Sequence, residues 1–160
     1  MADNALVLAA KFVKNYEGGP NGGFAAVAYR CPAGKQTVGW GHVIRPNERI
    51  QTPLSAQEAD ELLQADLERS YRAVLAVAKV PLTDSMVAAL TSFAFNVGVH
   101  ALKTSTLLKK LDAGNYRAAA DELLRWDKAR DPKIGQPRPL AGLTKRRKAE
   151  RALFLRDGTL

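Results

Sequence analysis

The stretch AYRCPAGKQTVGWGH, residues 28–42, reads as a β-hairpin, with Val, Tyr and Thr in short alternation on either side of a Pro/Gly turn. The pattern extends over 26–44, enough for a hairpin or a three-stranded sheet. Upstream, GGPNGG (18–23) is turn-forming. Before it, Leu6, Ala9, Ala10 and Val13 recur at helical spacing over 5–16. Gly18 and Gly19 stop that helix and leave Glu17 at its C-terminal end. A carboxylate there opposes the helix macrodipole by roughly 0.3–1 kcal/mol.

Downstream of the hairpin the chain turns helical. Ser55 with Glu58 forms a capping box that predicts a helix to about Lys79. Thr83 or Asp84 opens a helix to Val97 that is apolar on nearly every side, hence buried, and Gly98 closes it. Helices are expected near 101–112 and 116–128, and a basic one over 143–156. Residues 131–142 (DPKIGQPRPLAG), rich in Pro and Gly, are expected to be a loop. The fold class is α+β, mostly helical, with one helix, a small sheet and then five helices.

At 160 residues the chain suffices for one domain. No apolar run reaches the roughly 18–20 residues of a membrane span. The N-terminal stretch, with Asp3 and Lys11, lacks the basic-then-apolar order of a secretory signal. Cys31 is the single cysteine, so no internal disulfide is available and folding in the cytoplasm of the producing cell is expected. The net charge of +8 is uneven: 9 basic and 8 acidic residues lie in 1–80, against 15 and 8 in 81–160. That asymmetry points to a polyanionic partner, whether nucleic acid, wall polymer or membrane surface.

With a five-residue loop from Pro32 to Gln36, Cys31 and Thr37 become cross-strand neighbours, their Cβ atoms about 4.5–5.5 Å apart. Two small polar groups facing a helix-end Glu could hold a water. An acid on one side of a sugar and an activated water on the other is what an inverting glycosidase uses.

In their order, Glu17, Cys31, Thr37 and Gly39-Trp40-Gly41-His42 resemble the phage-type lysozymes, glycoside hydrolase family 24. SFAFNVG (92–98), STLLKKLDAGNYRAAADELLRW (105–126) and LAGLTKRRKAERALFL (140–155) extend the resemblance from about Ala10 to Leu155. It implies one catalytic domain over 1–160 with a lysozyme-like fold. In it a small β lobe, about 18–54, and a helical lobe, about 55–160 with the N-terminal helix, enclose a cleft. It also implies an endolysin, a muramidase cleaving the β-1,4 bond from N-acetylmuramic acid to N-acetylglucosamine in peptidoglycan. Glu17 is then the general acid, and Cys31 and Thr37 stand near the attacking water. Between Glu17 and Cys31 the chain is longer than the family pattern, and the surplus fits an inserted GGPNGGF (18–24).

Trp40 and Trp126 are either sugar platforms or core. Asn96 either binds an N-acetyl group or caps its helix, and His42 either touches substrate or is structural. Arg146 and Arg147 either tune Glu17 or form a solvated basic face. No metal or cofactor is expected. Peptidoglycan is the expected partner, with anionic wall or outer-membrane polymers and a holin-type protein for release from the cytoplasm of the infected bacterium. The chain is expected to be monomeric and not to bind nucleic acid. Two rivals remain: a lytic transglycosylase with the same fold, needing one glutamate but no attacking water, and a non-catalytic polyanion-binding module built on Lys145, Arg146, Arg147, Lys148 and Arg151, with no need of Glu17, Cys31 and Thr37.

Overall fold

The computed structural model describes residues 4–131 and 133–158. Helix α1 (Asn4–Val13) is followed by a three-stranded antiparallel sheet of β1 (Ala25–Arg30), β2 (Gln36–Gly39) and β3 (His42–Val43), in that order. Helices α2 (Ala56–Val77), α3 (Asp84–Val97), α4 (Val99–Lys103), α5 (Thr106–Asp112) and α6 (Tyr116–Glu122) come next. A 3-10 turn (Leu123–Arg125), a hairpin of β4 (Lys128–Asp131) and β5 (Gln136–Pro139), and α7 (Ala141–Leu155) complete the chain. The α+β class, mostly helical with a small antiparallel sheet, is as the sequence predicts.

The chain forms two compact units. One comprises Ala10–Arg69; the other combines the described residues up to Ala9 with those from Ser70 onward. In the first, Val38, Leu54 and Ala59 are buried, with Phe24, Trp40, Ile44, Ile50 and Leu62 packed against them. The Ser55–Glu58 capping box is formed: the Ser55 N–H donates to Glu58 (3.0 Å) and the Glu58 N–H to Ser55 Oγ (3.1 Å). In the second unit α3 is buried from Ser85 to Ala94. The Thr83 hydroxyl caps it by accepting the Met86 N–H, and Gly98 closes it at φ 98°.

Three expectations are corrected. The helix expected over 101–112 is two helices, α4 and α5, because Ser105 takes the local bonds that would continue one helix. Its hydroxyl donates to Leu102 O (2.7 Å) and accepts the Leu108 N–H (3.0 Å), capping α5. Among the described residues, six helices therefore follow the sheet rather than five. Second, α6 stops at Glu122 instead of running to 128. Third, the expected loop over 131–142 is largely an antiparallel hairpin, pairing Lys128 with Pro139 and Arg130 with Pro137. A two-stranded ribbon tolerates those prolines because each strand keeps an edge that needs no donor. Pro132, within that expected loop, and Asp3, within the N-terminal stretch, lie outside the described residues.

Candidate active site

Glu17, Cys31 and Thr37 all belong to the Ala10–Arg69 unit. Regular α1 ends at Val13, and a turn carries it on: the N–H groups of Tyr16 and Glu17 both donate to Val13 O at 2.9 Å. Glu17 therefore leaves the end of the helix half-buried, at the position expected. Its carboxylate lies against the turn between β2 and β3. A Cβ built on Gly41, whose φ is 82°, would fall 2.7 Å from Glu17 Oε2. Glycine at 41 is thus required twice, by the backbone conformation and by the space the carboxylate occupies.

The hairpin register differs from the expectation. Tyr29, not Cys31, faces Thr37, and Arg30 faces Gln36. Cys31 begins the turn, its N–H bonded to Lys35 O at 2.9 Å and its carbonyl accepting the Gly34 N–H at 2.8 Å. Cys31 and Thr37 are nevertheless brought together. Backbone hydrogen bonding at Lys35, then the Thr37 hydroxyl, the Ala33 backbone and the Lys35 charge, hold the Cys31 thiol below its ordinary range despite some loss of hydration. The buried Thr37 hydroxyl also donates to Lys35 O at 3.1 Å. Tyr29 completes the group. Burial first, then the charges of Glu17 and Cys31, push its phenol up.

The other expected site residues divide. Trp40 is half-buried, its Nε1 donating to Asp60 Oδ1 at 3.0 Å while Lys14 Nζ sits 5.4 Å from its ring centroid. Asp60 in turn pairs with Lys14 at 2.9 Å. His42 is buried with both ring nitrogens engaged, Nδ1 on Asp66 at 2.7 Å and Nε2 on Glu48 at 2.9 Å. The Asp66 hydrogen bond, joined by Glu48, raises its pKa against the opposing effect of burial. Held between two carboxylates, His42 ties β3 to α2 and to the 44–50 segment.

The remaining four lie in the second unit. Trp126 meets Phe93 edge-on with ring centroids 5.3 Å apart, and Asn96 is exposed, its amide oxygen accepting from Arg147. Arg146 and Arg147 are buried rather than a solvated face, and their charge is met by Glu150 at 3.3 and 3.2 Å. The Ser92 hydroxyl donates to Glu150 at 2.6 Å. Burial pushes the Glu150 carboxyl up against the pull of both guanidiniums. Among the described residues, no group of three or more His, Cys, Asp or Glu is arranged to hold a metal ion.

Sequence reasoning missed Tyr29, Glu48, Asp66 and Glu150, and named Gly41 only as part of the Gly39–His42 stretch. Tyr29 stands two residues before Cys31 in a stretch that reads as strand, although Cys31 itself begins the turn, and Glu150 stands at i+4 and i+3 from the two arginines. Both spacings carry a usable signal. The pairing of His42 with Asp66 is long-range and leaves none.

The family described as phage lysozyme matches residues 20–150. The chain belongs to that family. As a phage lysozyme it degrades peptidoglycan and serves host lysis. It is 39% identical over 154 residues to the endolysin of Acyrthosiphon pisum secondary endosymbiont phage 1, covering 96% of this chain and 97% of that one. The SAR-endolysin of Escherichia phage Mu is 40% identical over 130 residues, 81% of this phage lysozyme and 71% of its own length. The solved endolysin from Escherichia coli O157:H7 phage FAHEc1 superposes with a TM-score of 0.82 at 28% identity, covering 96% and 94% of the two chains. The fold is therefore lysozyme-like. Glu17 lies just ahead of the matched span. No helix among the described residues is long and apolar enough to cross a membrane.

Proposed function

We propose that this phage lysozyme is a single-domain, inverting N-acetylmuramidase with Glu17 as general acid. The observation that carries this is the setting of the Glu17 carboxylate: at a helix end, against Gly41, and near enough to Tyr29 that its charge, with that of Cys31, helps push the phenol up. Glu17 donates its proton to the glycosidic oxygen between N-acetylmuramic acid and N-acetylglucosamine. Water adds to the anomeric carbon from the opposite face and gives up a proton to the Cys31 thiolate, with the Thr37 hydroxyl orienting it. A lowered thiol pKa favours that step, since a general base works best when its pKa lies near the working pH.

Trp40, with its half-exposed indole, and Trp126 and Asn96 are assigned to sugar contacts. His42 contributes through the fold, because both of its nitrogens are spent on carboxylates. The cationic excess in residues 81–160 favours anionic wall or outer-membrane polymers. The enzyme is held in the cytoplasm of the infected bacterium until a holin-type partner releases it, and it acts as a monomer without a cofactor.

Mass spectrometry of muropeptides released by the wild type tests the reaction. Hydrated reducing ends are expected. 1,6-Anhydro ends would instead make the enzyme a lytic transglycosylase, which needs one glutamate but no attacking water.

A further inference from the structure

Glu17 is followed by a loop, so its backbone has to be held by something other than a strand ladder. On the helix side its N–H donates to Val13 O at 2.9 Å. On the far side the Gly18 carbonyl accepts the Tyr29 phenol at 3.0 Å. Beyond that the insertion closes on itself, with the Gly19 N–H on Gly23 O at 2.8 Å and the Gly22 N–H on Gly19 O at 3.1 Å. It is also tightly packed. A Cβ on Gly18 would lie 2.7 Å from Gly23 O, and one on Gly19 would lie 2.9 Å from the Ala25 Cβ. The extra residues after Glu17 thus form a small closed loop whose entry is tied to the sheet through one phenol.

Tyr29 reaches that entry because β1 is bulged. Ala25 pairs with Gly39 and Tyr29 with Thr37, so four steps on β1 match two on β2. The Ala26 carbonyl accepts the Leu54 N–H at 2.8 Å. An unbroken antiparallel ladder from Ala25 would place Lys35 opposite Tyr29. Bulges commonly re-aim side chains beside functional sites; this one sets Tyr29 opposite Thr37, with its hydroxyl on the Gly18 carbonyl next to Glu17, whose charge it feels. Burial and the neighbouring negative charges keep the phenol protonated, so it remains a donor to Gly18.

We infer that Tyr29 is a positioning residue for the proton donor: its hydroxyl pins the Gly18 peptide and so sets the direction in which the Glu17 carboxylate leaves the helix end. This rests on Glu17 being the general acid. Tyr29 acts only through Glu17. The hydroxyl is already spent on the Gly18 carbonyl, so it reaches the acid through the backbone that carries it. A displacement of about 1 Å at a reacting group can cost on the order of 10²-fold in rate.

Tyr29→Phe keeps the ring and removes the hydroxyl. Turnover on purified peptidoglycan fragments is expected to fall about ten- to hundred-fold in kcat with KM unchanged. Hydrogen exchange at the Gly19 and Gly22 amides should speed up in the same variant, because the loop has lost its tether. Wild-type kcat, or a rise in KM at constant kcat, would overturn the inference, as would unchanged exchange at both amides. Glu17→Gln is assayed alongside. If it is inactive while Tyr29→Phe is fully active, only the positioning role fails; a fully active Glu17→Gln would remove the general acid itself.

Discussion

Gly41 and the Glu17 carboxylate occupy adjoining space: the backbone of the β2–β3 turn comes so close that a methyl group at 41 would overlap Oε2 at 2.7 Å. The turn is itself held, since the neighbouring Trp40 donates to Asp60, which is paired with Lys14 at the end of α1. Helix end and hairpin turn therefore fix the acid between them.

Gly41→Ala is expected to fold with reduced stability, because φ 82° is unfavourable for alanine by about 1–2 kcal/mol. It should also lose at least tenfold in kcat as the carboxylate is pushed aside. Thermal melts and steady-state kinetics on the same preparation check both effects. An active variant with a lowered Tm would show that the close approach matters only for folding.

Cys31 should behave as a base with a thiol pKa below its usual range. Cys31→Ser is expected to lose about 10²-fold or more, the typical contribution of a general base. Cys31→Asp should retain most of the activity while its pH optimum moves to lower pH, because a carboxylate stays ionised further into acid than a thiol. pH–rate profiles of the three proteins distinguish this from a role in shaping the site, for which Ser would suffice.

Stability should depend on pH through His42. Its folded pKa is raised above the unfolded value near 6.5 by Asp66 and Glu48. The imidazolium's contribution is therefore complete below about pH 6.5 and is lost as pH rises through the folded value. Glu48 bounds the window on the acid side. Burial works against its ionisation, but the Arg45 N–H and His42 outweigh that and hold its pKa down. Its contribution is present above the unfolded carboxylate value and disappears as pH falls through the folded one. Melting temperatures from pH 3 to 10 should trace this bell, and His42→Asn should flatten its alkaline side.

Much of this was legible in the sequence because it is local. The Ser55–Glu58 box and the Thr83 cap are set by side chains within four residues of the backbone groups they satisfy, and the Gly98 stop by the glycine's own backbone. That the helical stretch gives out at Glu17 follows from two glycines, although regular α1 already ends at Val13. The hairpin register was not legible: a bulge that hands the Ala26 carbonyl to Leu54 depends on a segment far along the chain. The β4–β5 ribbon was obscured by its prolines, which demote a strand in any sheet with an interior. Likewise the basic spacing of α7 could not show that Arg146 and Arg147 are buried, since a charge run reads as a solvated face until Glu150 and Ser92 are placed against it.

That buried cluster makes its own prediction. Glu150→Ala would leave two guanidiniums without their carboxylate, and removing one partner of a buried pair costs about 3–5 kcal/mol. Chemical denaturation should show this loss, while Lys148→Ala on the exposed side of the same helix should be nearly neutral.

The most direct test of the central claim is a muropeptide digest by Glu17→Gln beside the wild type, with folding of both verified by circular dichroism. Glutamine keeps the shape of the side chain and removes only its ability to give up a proton. Wild-type enzyme should release fragments with hydrated reducing ends, and Glu17→Gln should release about 10²–10⁴-fold less. Equal release by the folded variant would contradict the assignment of Glu17 as the general acid.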